Sequence, residues 1–324
     1  MSNLPRIGIV GLGSIGKAHI RTWQKLGCPI VAVADVSTEA LATHTQDLGA
    51  AGFANADELL AGADIDILSV CTPPAFHKDI VIAAADAGIH ILCEKPLASN
   101  LEDAEAIADA VQRNNATLHV GFCHRFEAAI IEMRNLIENG EIGTLISIHN
   151  RFAGHMVNAH QTWFANPKIA GGGALADTAI HSIDMFRFLT GLQPVTQIRS
   201  LNATQETDLG PALEVEDSGT ILLQNEAGVM GVLEASWRTP PGAWTVTAYG
   251  TGGKLHYDYV THVLTAEQVG KDPVETSFDG QDRFADEFAN VIATWRGESQ
   301  PEASVADGVE ANRILAAAYT DANR

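Results

Sequence analysis

The chain has 324 residues, 46% of them hydrophobic, which is enough for real cores and suggests two ordinary domains. A formal net charge of −20 argues against nucleic acid and anionic membrane surfaces as partners, since both would repel the average field. No apolar run reaches the roughly 18 residues of a membrane span, the first strand-like run begins by about Arg6 and leaves no room for a signal peptide, and Cys28, Cys71, Cys93 and Cys123 form no CxxC pair; together these suggest a cytoplasmic protein with reduced, buried thiols.

Residues 6–10 form an apolar strand-like run, followed directly by Gly11-Leu12-Gly13-Ser14-Ile15-Gly16 and a helical pattern over 14–26. The next apolar run, 30–34, ends in Asp35. A phosphate-binding turn followed by a ribose-binding acid is the order a dinucleotide site requires. Gly11 permits the tight turn, Gly13 lets backbone approach a pyrophosphate, and Gly16 lets the helix pack close to the strand. The helix start then offers N–H groups and a positive dipole end to the phosphates. A glycine fingerprint alone is weak evidence; its place between strand and helix, with Asp35 after it, carries the reading. The Asp35 carboxylate suits the ribose hydroxyls of NAD and would repel the extra phosphate of NADP, and no Lys or Arg follows in Val36-Ser37. NAD is therefore expected over NADP.

Further strand-like runs at 65–71, 89–93 and 117–121 alternate with helical patterns at 38–48, 56–60, 76–87 and 101–114, which indicates a parallel sheet covered on both faces. Gly27 and Gly88 stand just past helix ends, and Ser99-Asn100 offers a cap for the helix that follows. After about residue 121 the pattern changes. A helix at 127–138 leads to strand-like alternation at 145–152, a strong helix at 174–189, and strand candidates at 195–202, 219–223, 229–237 and 245–250. Helical patterns at 283–296 and 305–319 finish the chain. The expected architecture is α/β: a doubly wound parallel sheet over residues 1–121, then an α+β domain over 122–324 built on an open, mainly antiparallel sheet. An open sheet with an uncovered face favours a homo-oligomer.

Three more segments bear on chemistry. Thr72-Pro73-Pro74, with His77 behind it, follows the strand at 65–71, at the sheet edge where ligands bind; it reads equally as a helix-start turn, with His77 capping or packing. Glu94-Lys95-Pro96 ends the strand at 89–93 on the same edge. Lys95 there either places an ammonium beside nicotinamide and substrate oxygen or pairs with Glu94 at the surface. Gly171-Gly172-Gly173 precedes Asp177 and His181, which a helix puts on one face. Such an acid–imidazole pair suits proton transfer, while the glycines let a neighbouring backbone or a ligand come close. A surface pair and a metal site are the competing readings; no third ligand with suitable spacing is visible, so no metal is expected.

Over nearly its whole length the chain resembles the glucose–fructose oxidoreductase, inositol dehydrogenase and MocA (Gfo/Idh/MocA) family. The resemblance rests on the Gly11 to His19 opening, Thr72-Pro73-Pro74 with His77, Glu94-Lys95-Pro96, and Gly171-Gly172-Gly173 with Asp177, His181 and Asp184, all in family order. It implies a nicotinamide-dependent dehydrogenase acting on a hydroxyl-bearing carbon of a sugar, cyclitol or related polyol. Lys95 would then stabilise charge on the reacting oxygen, His181 would carry the proton, and Asp177 would bind substrate and polarise its neighbours, the roles of the last two shifting with the substrate. It also implies a homodimer or homotetramer through the second domain. Gly11, Gly13, Ser14, Ile15, Gly16, Asp35, Thr72, Pro73, Pro74, His77, Glu94 and Lys95 are the expected cofactor residues. Arg125 and Trp163, with Asp177 and His181, are the expected substrate residues, Trp163 and Trp237 reading equally as core anchors. Alternatives are a non-sugar substrate, such as a dihydrodiol or imine, and a non-catalytic NAD-sensing regulator on the same fold.

Overall fold

Continuous apolar runs build the first of two units. In the computed structural model, which describes residues 4–323, one unit comprises the chain up to Cys123 together with Asp282–Glu310, and the other His124–Gln281 with the chain from Ala311 on. In the first unit, strands and helices alternate: β1 (Ile7–Val10), α1 (Ser14–Lys25), β2 (Ile30–Ala34), α2 (Thr38–Leu48), β3 (Ala51–Phe53), α3 (Ala56–Gly62), β4 (Ile67–Val70), α4 (His77–Asp86), β5 (His90–Cys93), α5 (Leu101–Arg113) and β6 (Leu118–Val120). The six strands are all parallel, in the order β3-β2-β1-β4-β5-β6. The chain order reverses beside β1, so the loops after β1, β4 and β5 share the edge where such sheets bind ligands. Local chemistry sets the helix starts: Ser37, Asn55 and Asn100 accept hydrogen bonds from the backbone N–H groups of Ala40, Glu58 and Asp103.

The expectation drew everything after residue 121 as one domain; by contact, Asp282–Glu310 cluster with the first unit. The cause is apolar. Phe288, Val291 and Ile292 of the later helix Arg283–Trp295 lie in the same buried cluster as Ile9, Leu12, Trp23 and Leu92. The Trp23 and Phe288 rings are 4.5 Å apart, and the Trp23 indole N–H donates to Ser69 Oγ at 2.9 Å, so the core holds no unsatisfied indole.

The second unit contains α6 (Ala128–Glu138), β7 (Leu145–His155), α7 (Pro167–Ala170), a π-helical turn at Leu175–Ala179, α8 (Ile180–Leu189), and the strands β8 (Val195–Ala203), β9 (Ser218–Asn225), β10 (Met230–Ser236), β11 (Arg238–Gly250), β12 (Gly253–Asp258), β13 (Val263–Gln268) and β14 (Val274–Ser277). Its sheet runs β14-β13-β12-β11-β7-β10-β9-β8, antiparallel except for the parallel pair β7–β10. One face, including Ile148, Phe152, Leu223, Leu233 and Val246, is buried; the other exposes Leu201, Leu222 and Met230. The helix at Arg283–Trp295, α9, and α10 (Val305–Ala322) complete the chain. Strands β12 to β14 went unread in the sequence because β12 and β13 bury few residues and all four residues of β14 are exposed, so little apolar alternation marks them. Among the described residues no helix is long and apolar enough to cross a membrane.

Candidate active site

The glycine turn after β1 separates into internal and external requirements. Gly11 has φ +92°, and a Cβ there would lie 2.6 Å from the Cys71 carbonyl oxygen. A Cβ on Gly16 would lie 2.0 Å from the Gly11 carbonyl oxygen. Both positions are closed by the protein itself. Gly13 is different: its φ is −68°, and a Cβ would meet nothing within 4 Å. Gly13 is also the N-cap of α1, and no side chain caps that helix. The turn thus keeps open space beside uncapped N–H groups, as Ser14, Ile15 and Gly16 lead into α1, which fits a pyrophosphate. Asp35 is held alongside: its two oxygens accept from Leu12 N–H at 2.6 Å and Ser37 N–H at 2.7 Å. A carboxylate has about four lone-pair sites, so acceptor capacity remains for ribose hydroxyls.

The turns after β4 and β5 are tied together by His77. Its Nε2 lies 2.7 Å from the Thr72 carbonyl, and its Nδ1 lies 3.1 and 3.2 Å from the carbonyls of Pro96 and Leu97. All three partners are acceptors, and a neutral imidazole carries one N–H, so in the uncharged ring only one of the two nitrogens donates to a carbonyl. Burial holds the imidazole pKa below its ordinary value against the pull of those carbonyls. His77 thus shapes the Thr72-Pro73-Pro74 turn and the segment after Lys95 from beneath. Glu94 is buried rather than at the surface. Its Oε1 lies 3.0 Å from His19 Nε2, and its Oε2 accepts the Lys95 backbone N–H at 3.2 Å. Burial pushes the Glu94 carboxyl up, but the His19 hydrogen bond and the charges of His19 and Lys95 outweigh it and hold the group below its usual range. The Glu94 carboxylate thus fixes the backbone at Lys95. The thiols of Cys71 and Cys93, buried beside it, are pushed well up and are poor nucleophiles.

In the second unit the glycine run answers to the protein. A Cβ on Gly172 would lie 1.9 Å from the Tyr319 hydroxyl, and one on Gly173 would lie 1.8 Å from the Glu216 carbonyl oxygen. The expected continuous helix at 174–189 begins with the π turn, and Asp177 lies within it while His181 lies in α8. Single π turns inside helices recur at functional positions. Asp177 Oδ2 accepts from Thr178 Oγ1 at 3.2 Å, and Thr178 Oγ1 in turn accepts the Trp237 indole N–H at 3.2 Å. Trp237 is buried and acts as a core anchor that also steadies Asp177. The His124 ring packs edge-on to His181 at 4.6 Å, with its Nδ1 3.2 Å from the Tyr259 hydroxyl. Arg125 is buried and grips Asp184 with two hydrogen bonds, of 2.8 and 2.5 Å. Trp163 is 37% exposed and stacks on Phe164 with centroids 3.9 Å apart.

Thr178, Glu216 and Tyr319 are not singled out by the sequence, and His19 enters only as the end of the Gly11 opening. His19 had a signal, as it stands one turn of α1 beyond Gly16 on the sheet-facing side. Glu216 and Tyr319 had none, because their partners lie 41 to 103 residues away.

Comparison with known proteins bears on these features. The family model for an oxidoreductase family with an NAD-binding Rossmann fold matches residues 5–122, and the GFO/IDH/MocA C-terminal domain model matches residues 130–256. An uncharacterized oxidoreductase, YrbE, of Bacillus subtilis is 30% identical over 96% of this chain and 92% of its own. A myo-inositol 2-dehydrogenase of Thermotoga maritima is 28% identical over 94% and 92%. A solved levoglucosan dehydrogenase in complex with NADH and levoglucosan is similar with a TM-score of 0.89 at 25% identity, over 99% of this chain and 98% of that one. The chain belongs to the Gfo/Idh/MocA family of oxidoreductases, with an NAD-binding Rossmann unit followed by the family's C-terminal domain.

Proposed function

We propose that this NAD-binding oxidoreductase transfers a hydride between the nicotinamide and a hydroxyl-bearing carbon of a sugar, cyclitol or related polyol. The observation that carries the reading is the open position at Gly13 beside the fixed Asp35 carboxylate, in a chain similar along most of its length to a myo-inositol 2-dehydrogenase. NAD, when bound, supplies hydride exchange. Gly11, Gly13, Ser14, Ile15 and Gly16 would hold its pyrophosphate, and Asp35 its ribose. Asp35, with the exposed Val36 after it and no basic residue in that turn, favours NAD over NADP.

The carbinol must lose its hydroxyl proton as its C–H bond breaks, because a free alkoxide is costly at neutral pH. Lys95, backed by the buried Glu94, stabilises the charge on that oxygen. His181 takes the proton, and Asp177, held by Thr178, orients substrate and imidazole. Trp163 offers an exposed ring that suits a sugar face. The exposed sheet face with Leu201, Leu222 and Met230 supports assembly of two or four copies through the second unit. A cytoplasmic location is consistent with the four unpaired, buried cysteines.

The test is a panel of inositols, sugars and anhydrosugars followed by NADH absorbance. Wild type is expected to turn over at least one polyol, and Lys95→Ala and His181→Ala to lose on the order of a hundredfold in kcat. Full activity in both variants rejects the site, and NAD binding without turnover across the panel rejects the activity.

A further inference from the structure

The helix that carries Asp177 and His181 begins on a residue far away in sequence. The Glu216 carboxylate accepts the Gly173 N–H at 2.9 and 3.0 Å through its two oxygens, the Leu175 N–H at 2.9 Å, and the Tyr319 hydroxyl at 2.7 Å. The Glu216 backbone carbonyl accepts the N–H of Ala174 at 2.9 Å. Three consecutive N–H groups of a helix start therefore end on one residue, where a local Ser or Asp cap satisfies one or two. Among the described residues Glu216 makes no ion pair, so the N–H groups and the phenol are what hold its carboxylate. The neighbouring Asp217 anchors the segment, accepting from Gln205 N–H at 3.0 Å and Arg238 Nε at 3.1 Å.

Two further observations point the same way. Gly172 and Gly173 leave room for Tyr319 and Glu216, since a Cβ at either would overlap them at 1.9 and 1.8 Å. The turn that follows is π-helical over Leu175–Ala179. A π turn holds one residue more than an α turn, and relaxing it to α would rotate the residues before it relative to those after it by up to about 100°, one residue's share of a 3.6-residue turn, and Asp177 relative to His181 by part of that. The Thr178 and Trp237 hydrogen bonds grip this turn from within, and a fixed start supplies the other restraint.

We propose that Glu216 and Tyr319 form a clamp that sets the register of the helix bearing Asp177 and His181, and are positioning residues for the reaction. The proposal rests on the reading that Asp177 and His181 handle substrate and proton. The phenol matters as a donor: it fixes the Glu216 carboxylate over the glycines, which pass beneath it with no side chain in the way.

The test uses the full-length protein with Tyr319→Phe and Glu216→Gln, and Asp177→Asn and His181→Ala as reference variants. Amide exchange over residues 172–183 is expected to quicken about tenfold or more in Tyr319→Phe, and further in Glu216→Gln, with peptides of β8 unchanged. The dissociation constant for NAD, read by NADH fluorescence competition, should stay within about twofold. With myo-inositol and levoglucosan as probes, kcat should fall on the order of ten- to a hundredfold, more than KM rises. Unchanged exchange over 172–183 in Tyr319→Phe overturns the clamp, as does quickened exchange with unaltered kcat. Because Tyr319→Phe removes a single oxygen, it decides the matter even if Glu216→Gln does not fold. Wild-type turnover in Asp177→Asn and His181→Ala would instead reject the reading of the site, a result separate from failure of the clamp.

Discussion

The three glycines of the turn after β1 make a sharp experimental distinction, because the structure assigns them different burdens. Gly13→Ala adds a methyl where nothing lies within 4 Å, at a φ of −68° open to any L-residue. Replacing Gly at a compatible position stabilises by about 0.4–1 kcal/mol through the unfolded chain, and Ala at an N-cap loses a comparable amount, so the melting temperature should stay near that of wild type. Gly16→Ala adds its methyl 2.0 Å from a backbone oxygen that cannot swing aside. Overpacking costs roughly 1–3 kcal/mol, and the upper end applies where the obstacle is backbone. At about 2–4 °C per kcal/mol, Gly16→Ala should melt several degrees lower. Cofactor affinity should follow a different order. The Gly13 methyl enters the space assigned to the pyrophosphate, and a loss of tenfold or more in NAD affinity, roughly 1.4 kcal/mol, is expected from a protein of near wild-type stability. Thermal scanning with and without NAD, together with fluorescence titration by NADH, measures both quantities. The reasoning fails if Gly13→Ala destabilises as much as Gly16→Ala, or if it binds NAD as wild type does.

Asp35→Ser should erode discrimination against NADP by about tenfold or more in kcat/KM; an unchanged ratio would mean that Asp35 does not face the ribose. Removing Arg125 or Asp184 singly should cost about 3–5 kcal/mol, read as a loss of urea resistance, because each change breaks a buried ion pair held by two hydrogen bonds. The paired change Arg125→Met with Asp184→Leu should recover most of that stability. If KM for the polyol then stays high, Arg125 serves the substrate as well as the fold.

What was legible in the sequence was local. The first sheet showed because strands such as Ile7–Val10 and Ile67–Val70 are buried throughout, and a run of four apolar residues needs no partner to be recognised. The helix starts at Asn100 and the stops at Gly27 and Gly88 showed because capping acts within a few residues. What stayed hidden depends on distant partners. The amphipathic face of α9, with Phe288, Val291 and Ile292, declares that it is buried but not against which core. Arg125 and Asp184 were both noticed, yet nothing local joins residues 59 apart. The glycines at 172 and 173 announced a close approach; only the fold says that Tyr319 and Glu216 make it.

The two buried carboxylates, Glu94 and Glu216, serve opposite electrostatic regimes, and the difference is measurable. Glu94 has cationic neighbours that overcome its burial, so its folded pKa lies below the ordinary 4.5. Its stabilisation is present above that value and is lost as pH falls through the depressed one. For Glu216 burial prevails over the hydrogen bonds from Tyr319, Leu175 and Gly173, so its folded pKa lies above 4.5. Its contribution has the reverse sign: fully present below 4.5, and lost as pH rises through the raised value. Acidification toward pH 4.5 should therefore tighten residues 172–183, seen as rising exchange protection factors corrected for intrinsic rates, with the region around Glu94 unaffected above pH 4.5. Glu216→Gln carries no titrating group there and should flatten that slope, while Glu94→Gln should leave it intact and reduce the loss of stability that wild type shows below about pH 4.5. An equal slope over residues 172–183 in wild type and Glu216→Gln would show that burial does not govern Glu216, and would remove the electrostatic account of how that helix start is held.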